Sequence, residues 1–221
     1  MPGLTLGLPT GNTPLGMYEE LVRQHRHEGL DFSRVRTFNL DEYLGLARDH
    51  PQSYRSYMQA RFFNHVNVRP ENTDVPDGSP GVDAKAECDR YENAIRNAGG
   101  IDLLIVGIGA NGHIAFNEPG SGFDSRTRVV SLAPETIGNA RKYFANDEDV
   151  PSSAITIGIR TILEARRIVL LASGRTKADA VERMLGDPVS ESLPASALQL
   201  HPDVIAIVDE RAGGDKRGTG H

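Results

Sequence analysis

Ile101 to Ile108 is an almost uninterrupted apolar run that ends in Gly107-Ile108-Gly109. Such a run reads as a strand buried on both faces, which implies a parallel sheet covered on both sides. Past the glycines come Asn111, His113 and Glu118. Polar side chains are thereby placed at the carboxyl end of the strand, where open α/β sheets bind ligands. A histidine with an amide two residues before it and a carboxylate five after can form a proton-transfer group with its orienting partners. Taken alone, the segment also reads as a glycine-rich loop with an incidental histidine.

Further apolar runs predict strands at Leu4–Leu8, Val35–Phe38, Ile168–Ala172 and Val204–Val208. Helical spacing of apolar residues lies between them, over Pro14–His27, Gln52–Asn64, Val82–Asn97 and Lys177–Leu185. Strands alternating with helices predict an α/β protein of three layers, Rossmann-like, with a mainly parallel sheet. The 221 residues suit one domain, expected over residues 1–212, with 213–221 a polar tail lacking order. Asn72–Gly81 reads as a surface loop, and Phe144–Ser153 as a mobile connection or lid.

The formal net charge of −6 argues against a nucleic-acid partner. Neither a membrane span nor a secretion signal is indicated, so the expected location is cytoplasmic. A single cysteine, Cys88, excludes an intramolecular disulfide framework and is expected to be structural. The seven histidines show no paired metal-ligand spacing, and no nicotinamide-type glycine fingerprint is present. No metal or cofactor is expected.

Four loops follow strands and suit a small anionic ligand. In Leu8-Pro9-Thr10-Gly11-Asn12-Thr13-Pro14, Thr13 is a candidate N-cap with Pro14 at the first helical position, and the backbone amides there suit a phosphate. In Asn39-Leu40-Asp41-Glu42-Tyr43, a carboxylate can serve as a base. The third is the Asn111/His113/Glu118 loop. In the fourth, Ser173-Gly174-Arg175-Thr176-Lys177, a lysine at a helix start is unfavourable unless an anion sits there. Each loop has a plain reading as capped turn or solvated surface. Together they describe a pocket for a small phosphorylated molecule. His201 reads as structural.

At these loops the sequence resembles the glucosamine-6-phosphate isomerase/6-phosphogluconolactonase family, and within it the glucosamine-6-phosphate deaminases. The matching segments are Leu6 to Pro14, Phe38 to Tyr43, Gly107 to Pro119, Ser125 to Arg128, Asn139 to Arg141 and Leu198 to Pro202. Ala115-Phe116-Asn117-Glu118-Pro119 favours the deaminases over the lactonases. The resemblance implies conversion of glucosamine 6-phosphate and water into fructose 6-phosphate and ammonia, without a cofactor. It implies that His113 assists ring opening, that Asn111 and Glu118 orient it, and that Asp41 moves a proton between C2 and C1. Glu42 would support the site, and the phosphate would lie among Thr10, Gly11, Asn12, Thr13, Arg141 and Lys177. A lactonase of the same fold and a non-catalytic sugar-phosphate-binding protein are the alternatives.

Three departures from the family pattern stand out. Asn111 replaces a common aspartate, and Lys142 follows Arg141 as an added residue. The chain also starts without the strand and helix that relatives carry before the first motif. A bare sheet edge or face is therefore expected, open to aggregation or homo-oligomerisation. Arg128 matches an effector-binding position of activated relatives, but Val130 stands where those carry lysine, so weak or no activation by N-acetylglucosamine 6-phosphate is expected.

Overall fold

The computed structural model describes residues 3–144, 146 and 150–214. Strand β1 (Thr5–Leu8) leads into helix α1 (Leu15–Glu28). Then come β2 (Arg36–Asn39), β3 (Asp41–Tyr43), α2 (Tyr54–Arg61), the two-residue β4 (Thr73–Asp74) and α3 (Ala84–Asn97). Next follow β5 (Leu103–Gly107), β6 (Arg128–Ser131), α4 (Pro134–Arg141), β7 (Ser153–Thr156) and α5 (Ile159–Leu163). The last elements are β8 (Arg167–Ala172), α6 (Ala178–Gly186) and β9 (Val204–Val208).

Six strands form a parallel sheet in the order β4-β2-β1-β5-β8-β9. All five strands expected from the apolar runs are present in it. From β1 the chain moves outward to β2, whereas β5 lies on the other side of β1. Strand order therefore reverses between β1 and β5, and the loops leaving their carboxyl ends diverge to open a crevice. A second, antiparallel sheet, β3-β7-β6, was not legible in the sequence. It grows from the end of β2: Leu40 accepts from the Ile157 amide at 2.8 Å, and Asp41 then pairs with Thr156.

Two apolar clusters cover the main sheet. Leu104 and Val106 pack with Tyr91 and Ile95 of α3, Ile162 of α5 and Met184 of α6. Ile105, pointing to the other face, packs with Leu6, Leu8, Tyr18 of α1 and Met58 of α2. Alternation along β5 fills both layers. Helix α3 starts where Asp83 accepts from the Lys85 and Ala86 amides. Helix α1 begins at Leu15, with Pro14 at the cap position and no side-chain cap bond. Thr13 is therefore not the N-cap. The helix expected over Gln52–Asn64 stops at Arg61 because Phe62 leaves helical geometry (φ −141°), and Phe63–His65 continue as a 3₁₀ turn.

On the α1 side, the helices cover only part of the sheet. An open apolar trough of about 870 Å³ remains beside Leu6, Met17, Leu103, Val169, Leu171 and Ile207. Ile207 on the edge strand β9 is 56% exposed.

Within Asn72–Gly81 the short strand β4 and buried Val75 tie the expected surface loop to the sheet. Of the expected lid, residues 145 and 147–149 lie outside the described residues, as do 215–221 of the expected tail. Cys88 is a buried free thiol. His201 is also buried, its ring bonding Ala165 O at 2.7 Å and accepting from the Asp203 amide, which is a structural role. No helix among the described residues is long and apolar enough to cross a membrane.

Candidate active site

A cavity of about 250 Å³ opens at the β1/β5 divergence. Thr10, Gly11, Asn12 and Thr13, from the turn between β1 and α1, form one wall. Asp41 of β3, His113 and Lys177 approach from the other elements. Seven residues expected from four separate loops thus meet around one hollow. Tyr54, Ala115 and Phe116 also line it and were not foreseen as site residues. Tyr54 reads in the sequence as part of an apolar helix face, and helical spacing cannot tell a core residue from one at a cavity rim.

His113 is held by its own loop. Gly109 donates to the His113 carbonyl at 2.8 Å, folding the segment back on itself. A Cβ on Gly109 would fall 2.2 Å from the imidazole, so only glycine permits the ring to lie there. Behind the ring, Asn111 Oδ1 is 2.8 Å from His113 Nδ1, and Asn111 Nδ2 donates to Glu118 Oε2 at 2.7 Å. The amide has a fixed polarity: its nitrogen faces the carboxylate and its oxygen faces the ring. Nδ1 therefore carries a hydrogen, and in the neutral ring Nε2 is the nitrogen with the available lone pair. Glu118 also accepts from Thr136 Oγ1 at 3.0 Å. Burial pushes its carboxyl up, but bonds from His113, Asn111 and Thr136 outweigh that, and the net position is below the usual range.

Asp41 and Glu42 part company. Neighbours on a strand point to opposite sides. Asp41 lines the cavity and is 6% exposed, and no hydrogen bond among the described residues reaches its carboxylate. Burial, with the Glu42 charge adding to it, pushes Asp41 up to about 8. Glu42 does not line the cavity. Its carboxylate accepts the backbone N–H groups of Tyr43 (2.8 Å), Tyr54 (2.8 Å) and Arg55 (3.0 Å). It is also raised by burial, to about 7, against those three donors, which favour the ionised form. The Glu42 carboxylate is thus occupied by backbone donors, two of them at the start of α2, where Ser53 caps the Ser56 amide, and it faces away from the cavity lining.

Lys177 reaches the cavity from the turn before α6, and burial lowers its pKa. Arg141 ends α4 with an exposed side chain and is not among the cavity-lining residues. The Arg128 guanidinium donates to Asn117 Oδ1 at 2.8 Å and to Ser121 Oγ at 3.1 Å, away from the cavity lining.

A parallel sheet with its crevice at the strand-order reversal, walled by free amides, a lysine, an isolated carboxylate and an oriented histidine, defines an α/β protein whose site suits acid–base chemistry on a small anionic ligand. The chain belongs to the family of glucosamine-6-phosphate isomerases and 6-phosphogluconolactonases, whose model matches residues 3–206. It is 53% identical over 211 residues to a glucosamine-6-phosphate deaminase of Hahella chejuensis, covering 96% of this chain and 80% of that protein. It is 49% identical to one from Thermoanaerobacter pseudethanolicus, covering 96% and 83%. A solved monomeric glucosamine-6-phosphate deaminase superposes with a TM-score of 0.93 at 47% identity, covering 96% of this chain and 88% of that one. A 6-phosphogluconolactonase from Thermotoga maritima shares the fold, with a TM-score of 0.74 at 24% identity and coverage of 94% and 86%.

Proposed function

We propose that this protein is a glucosamine-6-phosphate deaminase, converting glucosamine 6-phosphate and water into fructose 6-phosphate and ammonia. The observation that carries the reading is the presence of Asp41, on β3, and His113, in the loop after β5, in one cavity beside the β1–α1 turn. The relatives at about half identity that carry this name support it.

In this reading the phosphate lies against the Thr10–Thr13 turn with Lys177 as its counter-charge, at the start of α1 where helix amides favour anions. His113 Nε2, free because Nδ1 is bonded to Asn111, takes the C1 hydroxyl proton and returns one to the ring oxygen, giving the open-chain aldehyde. Asp41 then removes the C2 proton and delivers it to C1, passing through an enolamine. Water adds at C2 and ammonia leaves. The buried Asp41 is held as a strong base once ionised, and the ammonium of the substrate at C2 provides the charge that favours ionisation. The steps are proton transfers followed by addition of water and loss of ammonia at C2, and none of them calls for a cofactor.

Purified protein given glucosamine 6-phosphate should release ammonia and fructose 6-phosphate in equal amounts. A folded sample without turnover, or one that hydrolyses 6-phosphogluconolactone instead, overturns the reading.

A further inference from the structure

Helix α2 carries two tyrosines one turn apart, and both reach the β1–α1 turn. The Tyr57 hydroxyl donates to the Gly11 carbonyl at 2.6 Å. The Tyr54 phenol interacts with the side chains of Thr10 and Tyr43. The same helix is fixed at its start by Glu42, the residue next to Asp41. It therefore spans from the strand that bears the base to the turn that would bear the phosphate.

The Tyr57 bond acts on a single peptide unit. In a planar trans peptide the C=O and the following N–H point in opposite directions. Holding the Gly11 oxygen towards α2 aims the Asn12 N–H away from α2. That N–H has no acceptor among the described residues, nor do the amides of Gly11 and Thr13. Gly11 sits at φ +93°, and nothing lies within 4 Å of the position a Cβ would take, so the peptide has room to turn unless something restrains it. Burial pushes the Tyr57 phenol up to about 12, so it remains a donor across the working pH range.

We propose that Tyr57 is a positioning residue for phosphate binding: by holding the Gly11 carbonyl, it presents the Asn12 amide to the substrate phosphate. This rests on the placement of the phosphate given above. No spacing in the sequence exposes the role, since Tyr57 falls on the apolar face of its helix.

Tyr57→Phe keeps the ring and its packing and removes only the hydroxyl. KM for glucosamine 6-phosphate and the inhibition constant of inorganic phosphate should rise together, by about three- to tenfold, as expected for one neutral hydrogen bond. The kcat value should change by less than about twofold, because the lost contact is made equally before and during the reaction. Constants unchanged in both measurements overturn the proposal, as does a rise in KM without a matching rise for inorganic phosphate, or a fall in kcat alone. Lys177→Ala separates the two readings. If it weakens substrate and inorganic phosphate while Tyr57→Phe moves neither, the phosphate placement stands and the role of Tyr57 falls. If Lys177→Ala moves neither, the placement itself is wrong and the proposal falls with it.

Discussion

Replacing Asp41 by asparagine should make the protein more stable as the pH rises, while removing its catalysis. The carboxyl is displaced from 3.8 to about 8, mainly by burial. Each pH unit of displacement corresponds to about 1.4 kcal/mol, and Glu42 shares part of the effect, so full ionisation of Asp41 costs the fold on the order of 3–6 kcal/mol. The folded-state value lies above the unfolded one. The stabilisation from keeping Asp41 protonated is therefore complete below about 4, declines with increasing pH, and is gone above about 8. Asparagine is neutral throughout and has no such slope. Urea unfolding of both proteins, at steps from about pH 4 to about pH 9, should show the variant gaining on the parent by about 3 kcal/mol or more across that range. Taking the difference between the two proteins cancels the titrating groups that do not interact with Asp41, which leaves Asp41 and its coupling to Glu42. Turnover should fall by about 10²–10⁴-fold in the variant. A stability difference that stays flat with pH would falsify the buried-carboxylate argument, whatever happens to activity.

Glu42→Ala strips the acceptor from the backbone N–H groups of Tyr54 and Arg55 at the start of α2 and of Tyr43 in β3, so unfolding free energy should drop by about 2–4 kcal/mol in urea titrations. His113→Gln should slow turnover by about 10²–10⁴-fold yet leave inhibition by inorganic phosphate unchanged, and a loss of only about twofold would remove the histidine from proton transfer. Ile207→Lys lies on the open trough, where the side chain is 56% exposed. It should shift stability by less than about 1 kcal/mol and reduce binding of an apolar fluorescent dye, and a collapse in stability would mean that this face is covered.

The strands most readily seen in the sequence were those buried on both faces. Leu103 to Gly107 has apolar neighbours on either side, and its composition says so directly. The small antiparallel sheet gave no such signal. Asp41-Glu42-Tyr43 is a buried strand with two carboxylates in it, and Arg128-Val129-Val130-Ser131 is half exposed. The loops around the cavity were legible because glycine, threonine and asparagine at strand ends are costly to explain otherwise. The division of labour between Asp41 and Glu42 was not, since it depends on Tyr54 and Arg55, twelve and thirteen residues further along from Glu42. Arg141 was marked by its segment alone, and the segment does not say that it would fall at the exposed end of α4.

Leu171 has one side towards the catalytic cavity and the other towards the uncovered trough. One leucine is thus shared between the wall of the active site and an apolar hollow against the sheet. Whatever fills or wets that hollow leans on the wall behind the sugar, so the firmness of the active site depends on the company the outer surface keeps.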